Sequence, residues 1–495
     1  MTLGRFTIAI CGLVFFLGVS PGFASRFDAL RLQALIEVDE TRETIDRIAT
    51  TLWDYSETAL LEHRSAGFLI DILEASGFRV THGVADMPTA FVAEFGQGEP
   101  VIGMLAEYDA LPGVGNAAVP RRQARTDGVS SGHGCGHNLF AAASVGGAVA
   151  LSRVLRRESL PGTIRLFGTP AEETLVGKVY MAKAGVFDNL DAVIDWHPST
   201  RTGVRNQPGR AMNSFEVEFF GQAAHSSADP WNGRSALDAV ELMNHGVNMM
   251  REHVNPTARI HYVIPSGGEA PNVVPEYARV WYYVRGVNRE EVGKFYERIL
   301  KIAEAAAMAT ETTHKVTLIS GVHEYLLNRP IQEALQKALE LVGPVEFTEE
   351  EQQFARSLQD HLGVERKGYD AEIKPLSDSL EPVEGGSTDV AEVSYLAPTA
   401  GFQLTTAAAG VPWHSWATTA CHGSSAGTRA AVVAAKVIAA TGVDLLVDAD
   451  LIARARKSFR DATEGKPYVS PIPADQAPPV PRSETDGRPI GSGLR

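Results

Sequence analysis

A chain of 495 residues is longer than a single hydrophobic core usually supports, so the length predicts two or more domains. Apolar residues make up 44% and charged residues 21% of the sequence, which excludes a chain that is disordered throughout. The formal net charge is -15 and no dense Lys/Arg stripe occurs, so the composition argues against nucleic acid or anionic lipid as a partner.

The first 24 residues carry the pattern of an export signal. Arg5 precedes an apolar run at 6–19, and Gly22 and Ala24 are spaced like the small residues of a signal-peptidase site. The run is short for a membrane span, and an uncleaved anchor is the alternative interpretation. We therefore expect a periplasmic or secreted protein with no membrane contact once residues 1–24 are removed.

Removal of that segment would leave two cysteines, Cys135 and Cys421. Two cysteines are too few for a disulfide framework, so stability must come from the hydrophobic core. The count allows a bridge between them, but a metal ion on Cys135 would prevent it.

The chain after the signal alternates between helical and strand patterns. Apolar residues recur at helical spacing across 27–75, through Leu30, Leu32, Leu35 and Ile36. Short apolar strands, each followed by a polar loop, are predicted at 101–105, 163–168 and 192–195. The predicted fold class is α/β, a mainly parallel sheet covered by helices, in which ligands bind beyond the carboxyl ends of the strands. We assign this domain to residues 26–212 and 327–465.

The pattern of apolar strands followed by polar loops is interrupted by the region at 213–326. Its strands at 215–219 and 279–285 alternate in polarity, and helices are predicted at 235–253 and 290–310. The sequence therefore predicts an inserted α+β domain. Residues 466–495 are rich in Pro, Gly and polar residues, which predicts a linker-like or wrapping tail.

Two short motifs suggest metal chemistry. Cys135 and His137 flank a glycine in a Gly-rich loop, and a thiolate and an imidazole at that spacing suit borderline metals such as zinc. Glu172 and Glu173 lie side by side where a strand ends, so that one could bind metal while the other moves protons. A plain Gly-rich turn and a solvated acidic pair are the alternatives.

Three histidines could join them. His197 follows an apolar strand and would reach the same sheet edge as Glu173, while His414 lies in an aromatic loop far along the chain. His225 follows the first strand of the inserted domain and could stabilise an oxyanion over the site. Each of them could instead be an ordinary buried or turn histidine.

Taken in order, these segments resemble the metallopeptidase family of aminoacylases, carboxypeptidases and peptide hydrolases, and especially its aminobenzoyl-glutamate hydrolase branch. The resemblance spans nearly the whole mature chain and is carried by the segments 106–113, 132–137, 170–173, 385–390 and 412–416. It implies two divalent metal ions, zinc or manganese with cobalt as a third candidate. It also implies that the inserted domain acts as a lid and a dimerisation surface.

The resemblance assigns roles to individual residues. The metal ligands would be Cys135, His137, Glu173, His197 and His414, with Cys135 bridging the two ions. Glu172 would be the general base, and Asp109 would orient a ligating histidine. His225 matches a histidine that reaches the active site, often that of the partner subunit, and Asn272 matches a substrate-contacting asparagine. Glu107 stands where many relatives have a metal-binding histidine, so we leave it out of the ligand set.

The predicted function is metal-dependent hydrolysis of a small amide, either an N-acyl or aroyl amino acid or a small peptide. Metals would lower the pKa of a water molecule, and Glu172 would take its proton and later protonate the leaving amine. His225 and a metal would hold the oxyanion. We expect a homodimer, with a paralogous subunit as the other candidate partner. The loop at 119–131, which contains three arginines, is best interpreted as a solvated charged loop.

Other functions remain as alternatives. A dipeptidase or a xenobiotic amidase would use the same site, whereas a non-catalytic metal-binding subunit is opposed by the intact Glu172 and ligand set. Residues 423–427 fit the Gly-x-Ser-x-Gly motif of serine hydrolases, but no histidine follows His422, and a triad of that type needs one. The stretch 113–115 is too incomplete for a dinucleotide-binding motif.

Overall fold

A computed structural model describes residues 24–383 and 385–481. The predicted signal therefore lies outside the described residues, apart from its last position, and so does the tail beyond 481. Two β-sheets organise the described chain, one with eight strands and one with four.

The strands, in chain order, are β1 Arg79–His82, β2 Phe91–Gln97, β3 Val101–Ala106, β4 Gly162–Gly168, β5 Ala192–Ser199, β6 Thr202–Val204, β7 Ala211–Phe220, β8 Arg259–Ser266, β9 Tyr277–Gly286, β10 Thr313–Val322, β11 Ile373–Lys374 and β12 Thr399–Thr405. The larger sheet has the order β1-β2-β4-β3-β5-β12-β6-β11. Its central strands β4, β3, β5 and β12 are parallel, and β2 and β6 join them in antiparallel pairs. The predicted α/β class with a mainly parallel sheet is thus confirmed.

The helices are α1 Ala24–Tyr55, α2 His63–Ala75, α3 His137–Glu158, α4 Gly177–Lys183, α5 Ala236–Met250, α6 Arg289–Ala309, α7 Arg329–Val342, α8 Glu349–Leu362, α9 Val390–Ser394, α10 Trp416–His422, α11 Ser425–Val447 and α12 Ala449–Thr463. The helices α1, α3 and α11 pack together. Glycines allow their close approach, because a Cβ on Gly146 would lie 2.4 Å from Ile45 and one on Gly147 would lie 2.8 Å from Ile438. By length and composition α3 and α11 could each cross a membrane, but their residues are mostly buried, as in core helices.

The helix predicted across 27–75 is two helices. Ser56 and Leu60 have φ values of 44° and 61°, and this left-handed backbone separates α1 from α2. The predicted apolar face of α1 was also partly wrong, because Leu32 is 59% and Ile36 49% exposed. Helical spacing alone did not distinguish these two residues from Leu30, which is buried.

The inserted region has its own sheet and its own core. The order of the sheet is β10-β7-β9-β8, all antiparallel, and its apolar residues pack with those of α5 and α6. The strands β7 and β10 pair along their length, so the chain enters and leaves this region side by side. The division at 213 and 326 stays a prediction.

The C-terminal tail, as far as it is described, lies against the rest of the chain. The side-chain amide of Gln476 donates to the carbonyls of Leu318 (2.6 Å) and Ile319 (3.2 Å), where the pairing of β10 is irregular. Lys183 donates to the carbonyl of Pro473 (3.1 Å), and Ile472 is buried. The wrapping interpretation fits this part of the tail.

The loop at 119–131 differs in part from our interpretation. Arg121 and Arg122 are exposed, as expected of a solvated loop, but Arg125 is buried. Its guanidinium donates to the carbonyls of Trp53 (2.8 Å) and Asp54 (2.9 Å) and lies 4.3 Å from the centre of the Trp53 ring. Arg125 therefore attaches this loop to the end of α1.

Candidate active site

Polar residues at the carboxyl ends of three parallel strands lie at one edge of the larger sheet. Glu107 and Asp109 follow β3, Glu172 and Glu173 follow β4, and His197 lies near the end of β5. The carboxyl ends of parallel strands meet at the same edge, which is where ligands bind in α/β proteins. Sequence reasoning had placed His197 just after its strand, whereas the structure extends β5 through it.

The five residues expected to bind metal meet at this edge in two groups. The possible ligand atoms of Cys135, His137 and His197 lie within 4.8 Å of one another, and so do those of Cys135, Glu173 and His414. The Sγ of Cys135 is 3.5 Å from Nε2 of His197, and Nε2 of His414 is 3.5 Å from Oε2 of Glu173. Because Cys135 belongs to both groups, the arrangement has the form of two sites with a shared thiolate. Cys135 and Cys421 are both free thiols.

Hydrogen bonds orient the histidines of the first group. Nδ1 of His137 donates to Oδ1 of Asp109 (2.8 Å), and Nδ1 of His197 donates to the carbonyl of Pro198 (2.7 Å). Each imidazole can therefore offer its Nε2 to a cation bound in the cluster. The other oxygen of Asp109 accepts the backbone N–H of Glu173 (2.9 Å), so this one carboxylate positions residues from both groups.

The cluster fits two divalent cations. Nε2 of His137 and Oε1 of Glu173 are buried and make no hydrogen bond among the described residues, which is costly unless another partner satisfies them. Sulfur, imidazole nitrogen and carboxylate oxygen form a donor set suited to zinc and acceptable to manganese or cobalt. Buried carboxyl groups also gather here, which favours bound positive charge; they belong to Glu107, Asp109, Glu172, Glu173 and Asp389.

Burial shifts the ionisation of these groups towards their neutral forms. Burial, together with Glu107 and Asp389, raises the pKa of Glu172 well above its usual value. Burial raises the pKa of Glu173 to about 8. Burial and the charge of His137 lower the pKa of His414 to about 4, which keeps that imidazole neutral, as metal binding requires.

One lysine compensates part of this negative charge. Lys178, on α4, is fully buried, and its Nζ lies 2.5 Å from Oδ1 of Asp389 and 2.8 Å from Oε1 of Glu107. The second oxygen of Glu107 is 3.2 Å from Nε2 of His137. Sequence reasoning missed Lys178, because a single lysine within an apolar helix carries no recognisable pattern.

A cavity of about 660 Å³ opens beside the cluster. Arg205, Arg210 and Arg285 line it, whereas Glu172 and Glu173 are the only carboxylate side chains among its described lining residues. Arg285 comes from β9 of the inserted region, in a strand that the sequence predicted without indicating this residue. Only the tertiary structure shows that it lines the same cavity as the metal-ligand cluster.

His225 and Asn272 do not line this cavity in the single chain. Nδ1 of His225 accepts hydrogen bonds from the backbone of Ser227 (3.2 Å) and Ala228 (3.3 Å), all within one turn. The carbonyl of Asn272 accepts the N–H of Ser226 (3.0 Å). The structure thus brings these two residues close to each other but not to their own metal-ligand cluster.

A buried carboxyl group beside the cluster should make the stability of the metal-free protein depend on pH. Oε1 of Glu62 accepts the N–H of Ala171 (3.0 Å), and burial together with Asp109 raises the pKa of Glu62 to about 8. The folded state then keeps a proton that the unfolded state releases above its ordinary pKa. The contribution of Glu62 to stability is therefore present at low pH and is lost as pH rises towards 8.

Glu62→Gln should therefore flatten the pH profile of the free energy of unfolding between pH 5 and pH 8, by at most about 1.4 kcal/mol per pH unit. Urea unfolding with a chelator present measures this slope. The exposed Glu158→Gln serves as the control and should keep the wild-type slope. An unchanged slope in Glu62→Gln would show that Glu62 is already ionised in the folded protein.

Comparisons with known proteins agree with this geometry and confirm the resemblance. A model of peptidase family M20/M25/M40 matches residues 103–475. The chain is 37% identical over 469 residues to a p-aminobenzoyl-glutamate hydrolase subunit of Escherichia coli strain K12, covering 90% of this chain and 97% of that protein. It is 31% identical over 451 residues to Xaa-Arg dipeptidase of Mus musculus, covering 88% and 94%.

A solved structure shows the same fold. The YXEP protein of Bacillus subtilis, described as a dinuclear metal-binding peptidase of the M20 family, superposes with a TM-score of 0.55. The match has 20% identity and covers 82% of this chain and 99% of that one. The family model and both relatives extend across the metal-ligand cluster and the inserted region. The chain therefore belongs to peptidase family M20/M25/M40 and is a metal-binding hydrolase of amide bonds.

Proposed function

We propose that this hydrolase cleaves N-acyl or N-aroyl amino acids that carry a free carboxylate, of the aminobenzoyl-glutamate kind. The observation that carries the proposal is the charge of the cavity wall, because three arginines line the same cavity as residues of the metal-ligand cluster. A substrate with an anionic amino-acid half suits this wall. An Xaa-Arg dipeptide does not, because no described carboxylate outside the catalytic cluster lines the cavity to pair with its guanidinium.

Arg285 is the arginine best placed to bind the carboxylate. Its Nη1 donates to Oγ of Ser387 (3.3 Å), and its buried Nε makes no hydrogen bond within the described chain. Arg205 also has a buried Nε without a partner, but its guanidinium already lies 3.7 Å from the carboxylate of Asp195, whereas no carboxylate among the described residues pairs with Arg285. A guanidinium with an unpaired donor can bind a carboxylate through two hydrogen bonds.

We assign one metal ion to Cys135, His137 and His197 and the second to Cys135, Glu173 and His414. Two bound divalent ions would lower the pKa of a water molecule and polarise the amide carbonyl. A shared thiolate with imidazole ligands favours zinc over manganese. Elemental analysis of the freshly purified protein should find two ions per chain, and less than one ion per chain would contradict the assignment.

Glu172 would move the proton. Its carboxylate is buried, lies 3.9 Å from Nε2 of His137 and is absent from both groups that contain Cys135. A third group of possible ligand atoms joins Glu172 to Glu107 and His137. Our assignment places the two ions in the groups that share Cys135, which leaves Glu172 to accept a proton from the attacking water and to donate it to the leaving nitrogen. Asp109 would fix His137 and Glu173, and Arg285 would hold the substrate so that its amide carbonyl faces Glu172.

The substrate proposal is tested with the metal-loaded enzyme and three substrate classes. We expect hydrolysis of aminobenzoyl-glutamate or N-acetyl amino acids, and loss of activity when their carboxylates are methylated. Arg285→Ala should lower kcat/KM by about 10-fold to 100-fold, mainly through KM. Efficient hydrolysis of Xaa-Arg dipeptides without activity on N-acyl amino acids would reject the proposal.

We further propose a homodimer formed through the inserted region. Within residues 24–383 and 385–481, strand β8 pairs only with β9, and Val263 (54%) and Ile264 (43%) of this edge strand are exposed. An uncovered apolar edge strand is a template for pairing with a second chain. Dimerisation would also explain why His225 and Asn272 lie away from their own cavity, since each chain could supply them to its partner.

The mass of the protein in solution tests this proposal. Val263→Asp should give a monomer with wild-type metal content and reduced kcat, whereas Val469→Asp, in the exposed part of the tail, should stay dimeric. A wild-type monomer with full activity would reject the homodimer. The Escherichia coli relative is named as one subunit of its hydrolase, so a paralogous subunit is the second candidate partner.

We also propose export to the periplasm or the medium after cleavage near Ala24. Cleavage after Ala24 would remove only one of the described residues, so the rest of the described fold would be retained. The intact mass of the protein isolated from its host distinguishes the full-length chain from a chain cleaved near Ala24. A chain that retains residues 1–23 would reject the proposal.

A further inference from the structure

A histidine outside the metal-ligand cluster also lines the cavity. His323 follows β10, where the chain returns from the inserted region, and its side chain is 11% exposed. Its Nδ1 lies 2.9 Å from Oε1 of Glu392, and the same oxygen accepts the backbone N–H of His323 (2.7 Å). The carboxylate therefore holds both the ring and the backbone of this residue.

Glu392 is itself fixed from the other side. It is fully buried on α9, and its Oε2 accepts the hydroxyl hydrogen of Tyr468 (2.6 Å), which comes from the C-terminal tail. Burial and the nearby Glu392 raise the pKa of Tyr468, so its hydroxyl remains a donor. Because a carboxylate oxygen can only accept, Nδ1 of His323 carries a hydrogen, and the ring with a single hydrogen has its lone pair on Nε2.

Nε2 of His323 is available to a ligand. No hydrogen bond among the described residues uses it, and the ring is held by Tyr395, at 4.4 Å between centroids, and by Tyr468, at 5.9 Å. Tyr325 and Ala391, its neighbours along the chain and beside Glu392, also line the cavity. The wall here thus offers one fixed hydrogen-bond acceptor among less polar groups.

This acceptor selects for one part of the substrate. A carboxylate has no hydrogen to donate, and the lone pair of Nε2, backed by the buried Glu392, would repel it. The amino-acid half of the proposed substrate carries carboxylates, for which Arg285 provides the partner. The acyl half is then the part that can offer a donor to His323.

We infer that His323 determines specificity: its Nε2 accepts a hydrogen bond from an N–H or O–H group on the acyl half of the substrate, such as the para-amino group of an aroyl amide. This inference rests on the proposed function. Glu392 and Tyr468 act as positioning residues that fix the tautomer and the orientation of the ring. Part of the C-terminal tail thereby contributes to substrate recognition.

The test compares two substrates that differ in one donor, aminobenzoyl-glutamate and benzoyl-glutamate. We expect wild-type kcat/KM to favour the amino compound by about 10-fold to 100-fold, the range for one hydrogen bond to a buried acceptor. His323→Phe should bring the ratio close to one by slowing only the amino compound. His323→Gln keeps an acceptor oxygen and should restore part of the preference.

Tyr468→Phe provides a second test that leaves the cavity wall unchanged. It should reduce the ratio without changing metal content. Tyr180→Phe is the matched control, because its hydroxyl contacts the tail through Gln476 (2.7 Å) and not through Glu392. The control should keep the wild-type ratio.

The outcomes separate the two proposals. If the enzyme hydrolyses both compounds and His323→Phe keeps the wild-type ratio, the inference about His323 is wrong and the proposed function stands. If the wild-type enzyme hydrolyses neither compound, the aroyl substrate class is wrong and the inference falls with it.

Discussion

Glu172→Gln should lower kcat by about 10²-fold to 10⁴-fold, the contribution that a positioned general acid–base group usually makes. The amide keeps the size of the carboxyl group but cannot take the proton of the attacking water. Because we assign the two ions to the groups that share Cys135 and not to the third group of Glu107, His137 and Glu172, the variant should bind metal as the wild type does. Steady-state kinetics and elemental analysis on the same sample measure both quantities.

The neighbouring carboxylate supplies the matched control. Glu173 has an oxygen 3.5 Å from His414 and belongs to a ligand group, so Glu173→Gln should lose metal along with activity. The contrast between adjacent residues separates proton transfer from metal binding. Undiminished turnover by Glu172→Gln would show that another group moves the proton, and metal loss from that variant would make Glu172 a ligand.

The sequence predicted the part of the fold that local patterns determine. The apolar runs at 101–105 and 163–168 are bounded by glycine and polar residues, and they agree with β3 and β4 to within one residue at each end. Since parallel strands of such a sheet bring their carboxyl ends together, the motifs that follow them had to meet at one edge. The site residues that follow these strands could therefore be predicted from the sequence.

Contacts between distant parts of the chain could not be predicted from local sequence patterns. Lys178 pairs with Asp389, 211 positions away, and His323 depends on Glu392 and on Tyr468 from the tail. Lysine, glutamate and tyrosine are common, and no local spacing marks these as partners. The prediction that Leu32 belongs to the buried face of α1 was wrong for the same reason, because the helices packed on α1 determine which face is buried.

Two residues of the inserted region have predicted roles that the fold of one chain does not explain. The resemblance indicated that His225 and Asn272 act at an active site, but neither lines the cavity of its own chain. In the proposed homodimer their roles would depend on assembly, which neither periodicity nor one folded chain determines. The edge strand β8 is the feature of the described chain on which that proposal rests.

The second large effect is a loss of stability, which we expect for Lys178→Met. This variant tests whether Lys178 compensates the negative charge of the buried carboxylates beside the metal-ligand cluster. Lys178→Met leaves Asp389 and Glu107 as buried carboxylates without their cation. Breaking a buried ion pair from one side costs about 3–5 kcal/mol, because the remaining charge stays desolvated. Urea unfolding of the metal-free protein should show a loss of this size.

Lys294 provides a control that matches the distance but not the burial. Its Nζ is 2.5 Å from Glu290, the same distance as between Lys178 and Asp389, but both side chains of the helix α6 pair are at least 68% exposed. Water solvates the charges of such a pair, so Lys294→Met should leave the free energy of unfolding close to that of the wild type. Adding Asp389→Asn to Lys178→Met should recover part of the lost stability, because it removes one of the two uncompensated charges. Equal losses for the two lysine variants would show that burial does not set the importance of Lys178, and the charge compensation argued for it would be wrong.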